Sequence, residues 1–117
     1  MFDHVGLHVW DLDASRRFYT AVMAALGYEP DSWGTGFGSP EAPALRLHRN
    51  GEDQPTRVHL AFRAATRGVV ERFHRAGLAA GGRDNGAPGV RVDYRPSCFA
   101  AFLLDPDGNN VEAVCEE

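Results

Sequence analysis

The sequence predicts an α+β fold of two βαβββ modules whose mixed sheets curl into a cup. Three observations predict it. A long segment repeats without a gap, each copy opens on period-two alternation, and turn residues divide the stretch after each copy into short strand-like runs. The repeat lays "HVGLHVWDLDASRRFYTAVMAALG", from His4, over "HLAFRAATRGVVERFHRAGLAAGG", from His59. His4 falls on His59, Arg17 on Arg72, Phe18 on Phe73, Ala24 on Ala79, Ala25 on Ala80 and Gly27 on Gly82. The modules occupy about 1–52 and 56–117 of a 117-residue chain, enough for one domain with one core.

Taken in order, the first strand carries His4, Gly6, His8 and Trp10 on one face and Val5, Leu7 and Val9 on the other. The valines and the leucine face a core, and the histidines look away from it. A helix comes next, with a cap expected at Asp13, apolar residues Phe18, Val22 and Leu26 along one side, and a stop at Gly27. Short strands are then expected at 28–33, 35–38 and 44–49, before the connection "NGEDQPT". In the second copy, strand 56–63 sets Val58, Leu60 and Phe62 against Arg57, His59, Ala61 and Arg63. Its helix is expected from Thr66 through Val69, Phe73 and Ala76/Gly77 to Gly81-Gly82, with His74 on an exposed side. Strands are expected in parts of 82–94, at 98–104 and at 109–115; "DNGAPG" has the composition of a loop, and "DPDGN" is the turn before the last strand. Arg46 and His48, like Asn110 and Glu112, fall opposite the apolar positions of their strands. The polar side chains therefore collect on the face the helices leave open, and two such faces side by side make a pocket.

Composition narrows the function. A formal net charge of −4 and a pI near 5.7 supply no basic field for phosphate backbones, so nucleic acid is not an expected partner. No apolar run approaches the ~18 residues of a membrane span, and the early strand leaves no expectation of a signal peptide. A cytoplasmic protein with Cys98 and Cys115 reduced is expected.

"HVGLHVWDLDASRRFY", the second "HLAF" strand and the closing "DPDGNNVEAV" together resemble the vicinal oxygen chelate superfamily, which includes glyoxalase I, extradiol dioxygenases, fosfomycin-resistance enzymes and bleomycin-binding proteins. The resemblance covers essentially the whole chain and implies the same paired-module fold. It also implies His4, His59 and Glu112 as ligands of one divalent metal ion, zinc, nickel, manganese or iron. The remaining ligand position falls on "ALRLHR", where a two-residue choice of register selects Arg46 or His48; arginine has no lone pair to offer a metal. Two histidines and a carboxylate suit a Lewis-acid ion or ferrous iron. Glu112 is the matched position able to act as general base.

His8, Arg46, Trp10 and Tyr94 are expected to contact a small-molecule substrate, Phe37 and Phe102 to add to an aromatic wall, and Arg57, Arg63 and Arg91 to be further candidates for an anion anchor. The resemblance implies a lyase or isomerase of the glyoxalase type, with an extradiol-type dioxygenase and a non-catalytic drug-binding protein as alternatives, and a homodimer. Whether the modules pair within one chain or by exchange is left open by the connection at 50–56.

Overall fold

In the computed structural model, residues 1–39, 41–49, 54–93 and 96–116 are described. The element order is β1 (Val5–Val9), α1 (Leu12–Leu26), β2 (Gly36–Gly38), β3 (Pro43–Arg49), β4 (His59–Arg63), α2 (Arg67–Ala79), β5 (Arg83–Val90), β6 (Phe99–Leu104) and β7 (Asn110–Cys115). Two mixed sheets result, ordered β1-β3-β2 and β4-β7-β6-β5, with the first strand of each module parallel to the last.

The second module has all four expected strands. In the first, the expected strand at 28–33 is reduced to a single bridge between Pro30 and Phe37. Proline has no N–H to give a ladder. Asp31 then folds the chain back, its side chain accepting from the N–H groups of Trp33 and Thr35 (both 3.1 Å), so no extended run forms.

Helix α1 is capped by Asp11, not Asp13: the Asp11 side chain accepts from Ala14 N–H, and Asp13 lies in the first turn. It ends at Gly27, whose φ of 97° is the left-handed conformation glycine adopts without penalty. Helix α2 is capped by Thr66, which accepts from Val69 N–H at 3.1 Å. Its buried residues are Val70, Phe73, His74 and Gly77, at i, i+3, i+4 and i+7. That stripe is turned by one position from the one expected through Val69, and the turn corrects His74. It is 8% exposed rather than solvated, and its Nε2 bonds Asp84 Oδ1 at 2.9 Å, tying α2 to β5.

One apolar cluster spans both modules, taking Leu7, Val9, Phe18 and Val22 from the first and Val70, Phe73, Leu103 and Val111 from the second. Within the chain, the modules pack on one another through this cluster and through α1 against α2. Gly77 lies where α2 approaches α1 and β6 most closely. A Cβ there would run into Leu103 Cδ1 and stand 3.0 Å from Val22 Cγ1. Gly77→Ala should therefore destabilise despite alanine's better helix propensity. Crowding costs about 1–3 kcal/mol against a propensity gain of about 1 kcal/mol, and the net fall is readable as a lower midpoint in urea.

Candidate functional site

On each sheet, one face is left open by the helices, and the strap before β4 bonds to β1. Thr56 N–H donates to His8 O at 2.8 Å, and His8 N–H donates to Thr56 Oγ1 at 2.9 Å. Val5 is partly buried and Leu7 and Val9 fully buried beneath this face, while His4, His8 and Trp10 are exposed on it, as the alternation predicts.

The two most closely joined functional side chains come from adjacent parallel strands. His59 on β4 and Glu112 on β7 touch through Nε2 and Oε1. The glutamate is 4% exposed, whereas the imidazole is about half-exposed at 51%. Register explains the contact: Ala61 is directly opposite Glu112, and its small side chain leaves room for His59 to lean across. Beside the pair, Cys98, Ala100 and Phe102 with Val114 form a small apolar floor. The Phe102 ring lies 6.3 Å from that of His59.

The turn that feeds β7 fixes where Glu112 stands. Asp105 is 1% exposed and its carboxylate accepts from four donors: Asp107 N–H (2.9 Å), Asn109 N–H (2.8 Å), Asn109 Nδ2 (2.8 Å) and Tyr19 O–H (2.5 Å). Asn109 Oδ1 in turn accepts Val58 N–H at 2.7 Å, which pins the start of β4 to the start of β7. Burial, and then the Asp105 charge, hold the Tyr19 hydroxyl well above the ordinary tyrosine range, so it stays a donor. Desolvation raises Asp107 as well, although Trp10 N–H donates to its Oδ1.

The other expected site residues divide into separate groups. His4 bonds Asp3 through Nδ1 at 2.7 Å. That hydrogen bond, followed by the charge of His4 and a smaller contribution from Arg46, holds the Asp3 carboxyl below its usual range. The His48 ring is tilted by 30° to that of His8 at 5.5 Å between centroids, and it lies over Gly6, where a Cβ would meet it at 3.2 Å. Trp10 is 63% exposed, and its backbone N–H donates to Asp107 Oδ1 at 3.2 Å. Phe37, expected on a pocket wall, is 1% exposed in the core, because the odd side of its three-residue strand faces inward. Tyr94 lies outside the described residues.

Parallel pairing resolves the choice between Arg46 and His48. The overlay that puts His4 on His59 puts Gly6 on Ala61; Gly6 pairs with Arg46, and Ala61 pairs with Glu112. Arg46 is therefore the counterpart of Glu112, and His48 the counterpart of Val114.

This bears directly on the expected metal. Among the described residues, no three His, Cys, Asp or Glu side chains gather closely enough to hold an ion. His59 and Glu112 are a suitable nitrogen and oxygen pair, Asp3 bonds His4 through Nδ1 and leaves its Nε2 as a donor, and a cation stands at the fourth position. Arg46 therefore leaves His4, His59 and Glu112 as the protein ligands a bound ion could have, three rather than four.

One wall of the site is not legible in the sequence. "DNGAPG" is part of strand β5, with irregular pairing to β6 at Gly86, whose φ is 152°. A Cβ at Gly86 would meet Phe102 Cδ1 at 2.9 Å, so glycine lets the ring approach the strand backbone closely. A cleft of about 320 Å³ opens there, lined by Asn85, Gly86, Arg91, Asp93, Phe102 and Asn110. Arg91 caps it, with its guanidinium 5.3 Å from the Phe102 ring centroid and Nη2 donating to Ala87 O. The Asn85-Gly86 pair is the available signal, and it marks a bulge as readily as a loop.

Comparison with known proteins matches the fold. The family model for a glyoxalase-like domain fits residues 4–114. The uncharacterized Bacillus subtilis (strain 168) protein YqjT is 30% identical over 95% of each chain. A glyoxalase/bleomycin resistance protein from Albidiferax ferrireducens T118 superposes with a TM-score of 0.80 at 30% identity, covering 97% of each chain. A glyoxalase/bleomycin resistance protein/dioxygenase family enzyme from Burkholderia phytofirmans PsJN shares the fold at 18% identity, with a TM-score of 0.74 over 98% of each chain. The chain belongs to the glyoxalase-like family, within the vicinal oxygen chelate superfamily.

Proposed function

We propose that the protein is a lyase or isomerase of the glyoxalase type, moving a proton on a small oxygenated molecule bound in the cup. The observation that supports this most is the contact between the buried Glu112 carboxylate and the half-exposed His59 imidazole. A carboxylate held at the floor of a site takes a C–H proton next to a carbonyl, and an adjacent imidazole orients it and shares the proton. Where that carbon bears a hydroxyl, the hydroxyl proton passes to the carbonyl oxygen through an enediol, and redelivery of the carbon-bound proton to the former carbonyl carbon completes an isomerisation with nothing gained or lost. Phe102 gives the substrate an apolar surface beside the pair.

A divalent ion is the second reading, favoured by the equivalent places of His4 and His59. His4, His59 and Glu112 would hold it, and it would supply Lewis acidity to two neighbouring substrate oxygens. The expected assembly is a homodimer, and light scattering that gives a monomer across micromolar concentrations would count against it.

Proton-for-deuterium exchange in heavy water, followed by NMR on a panel of small 2-oxo and 2-hydroxy compounds, tests the proton-transfer reading. At least one compound should exchange faster with the protein than without it, and no acceleration across the panel would remove the reading. Zinc, nickel, manganese and ferrous iron titrated into the same protein separate the two readings. One tightly bound equivalent that disappears in His59→Ala would establish the metal, and weak uptake unaffected by that change would leave the acid–base pair alone.

A further inference from the structure

The cleft of about 320 Å³ against β5 and β6 is lined by a cation, Arg91, and an anion, Asp93, that do not meet each other. Arg91 is set from two sides. Its backbone N–H donates to Cys98 O at 2.8 Å, and its guanidinium lies over the Phe102 ring while Nη2 donates to Ala87 O. Its Nε is buried and has no hydrogen-bond partner among the described residues. Asp93 stands in an exposed turn on the same cleft, yet among the described residues neither it nor Arg91 enters an ion pair. Two amides complete the lining. Asn85 Nδ2 donates to Asn110 Oδ1 at 3.2 Å, which leaves Asn110 Nδ2 to donate and Asn85 Oδ1 to accept.

A part-buried guanidinium without a counter-charge costs free energy, and a carboxylate in the cleft offsets that cost through a planar fork made for two oxygens. A plain anion is a poor occupant, because Asp93 repels it. A ligand that carries an ammonium beside its carboxylate meets both charges at once. We propose that this cleft binds the zwitterionic head of an α-amino acid, with the carboxylate on Arg91 and the ammonium on Asp93. The cleft adjoins the acid–base pair on one face of one sheet: Phe102 is directly opposite Glu112 in register, and Asn110 directly opposite His59. The proposal concerns binding alone and does not require that Glu112 move a proton.

L-Alanine is the probe, titrated at neutral pH and constant ionic strength into the full chain while backbone amide signals are followed. Saturable shifts are expected around Gly86, Arg91 and Asn110. Propionate, which lacks only the amine, should bind at least about five-fold more weakly, since it meets Asp93 without a charge to answer it. Arg91→Gln should weaken L-alanine binding at least about ten-fold, and Arg91→Lys less, because it keeps the charge and loses the fork. Asp93→Asn changes an exposed side chain and spares the fold; it should weaken L-alanine and remove its advantage over propionate. If circular dichroism shows Arg91→Gln to be unfolded, the Asp93→Asn comparison decides. The proposal falls if wild type shows no saturable shifts at tens of millimolar L-alanine, or if folded Arg91→Gln binds it as wild type does. It falls equally if propionate binds wild type as tightly as L-alanine, which would make the cleft a simple anion site.

Discussion

Asp105→Ala should cost about 4 kcal/mol or more and lower the melting temperature by roughly 15 °C, a large share of a domain's typical stability of about 5–15 kcal/mol. The reason is the number of donors left without an acceptor. Tyr19 O–H, Asn109 Nδ2 and the N–H groups of Asp107 and Asn109 all end on this one carboxylate, and Asp105 and Asn109 are each 1% exposed. A buried donor without a partner costs about 1–3 kcal/mol, and alanine supplies no acceptor in return. Tyr19→Phe removes one donor and leaves the acceptor satisfied by three others, so its cost should be nearer 1–2 kcal/mol. Asp105→Asn should fall between, since it keeps one acceptor oxygen but turns an NH₂ toward groups that also donate. Chemical denaturation of the three variants would give this order. Equal losses in Tyr19→Phe and Asp105→Ala would mean that the tyrosine bond alone holds the turn.

The same network marks where a sequence stops being legible. The alternation in β1 is readable because helices cover only one face of its sheet, so a short local pattern carries the burial of Leu7 and Val9. Glycine at 27 ends a helix through its own φ, again a local property. The bond from Tyr19 to Asp105 joins residues from different modules, and nothing local in either segment announces it. His74 escapes a sequence reading because an apolar stripe turned by one position fits nearly the same residues, and only packing on β5 chooses between them. Arg46 and His48 share a face, so a two-residue slip in register changes no burial pattern; only the pairing of Gly6 with Arg46 decides between them. His4 and His59 coincide in the repeat, yet their partners differ: Asp3 for one and Glu112 for the other. Sequence equivalence places residues on a fold but does not bring their side chains together.

That difference gives Glu112→Gln the larger consequence for activity. Glutamine preserves volume and an oxygen acceptor beside His59, so the fold should change little; the side chain is buried on β7 directly opposite Phe102 and bears no network like that of Asp105. What it loses is the ability to accept a proton at neutral pH. For any compound that the wild-type protein exchanges in heavy water, the rate should fall by about 10²–10⁴-fold, the usual contribution of a positioned general base. His59→Ala should lower the same rate by less, because the carboxylate survives and loses only its orienting partner. Glu71→Gln, on the exposed side of α2, serves as the charge-matched control and should leave exchange unchanged. His74→Ala does not qualify as a control, since it breaks the tie to Asp84. An exchange rate in Glu112→Gln within a factor of a few of wild type would place the base elsewhere on the open face. His59→Ala would then identify it: a deeper loss there would make the imidazole the proton acceptor and Glu112 the group that orients it.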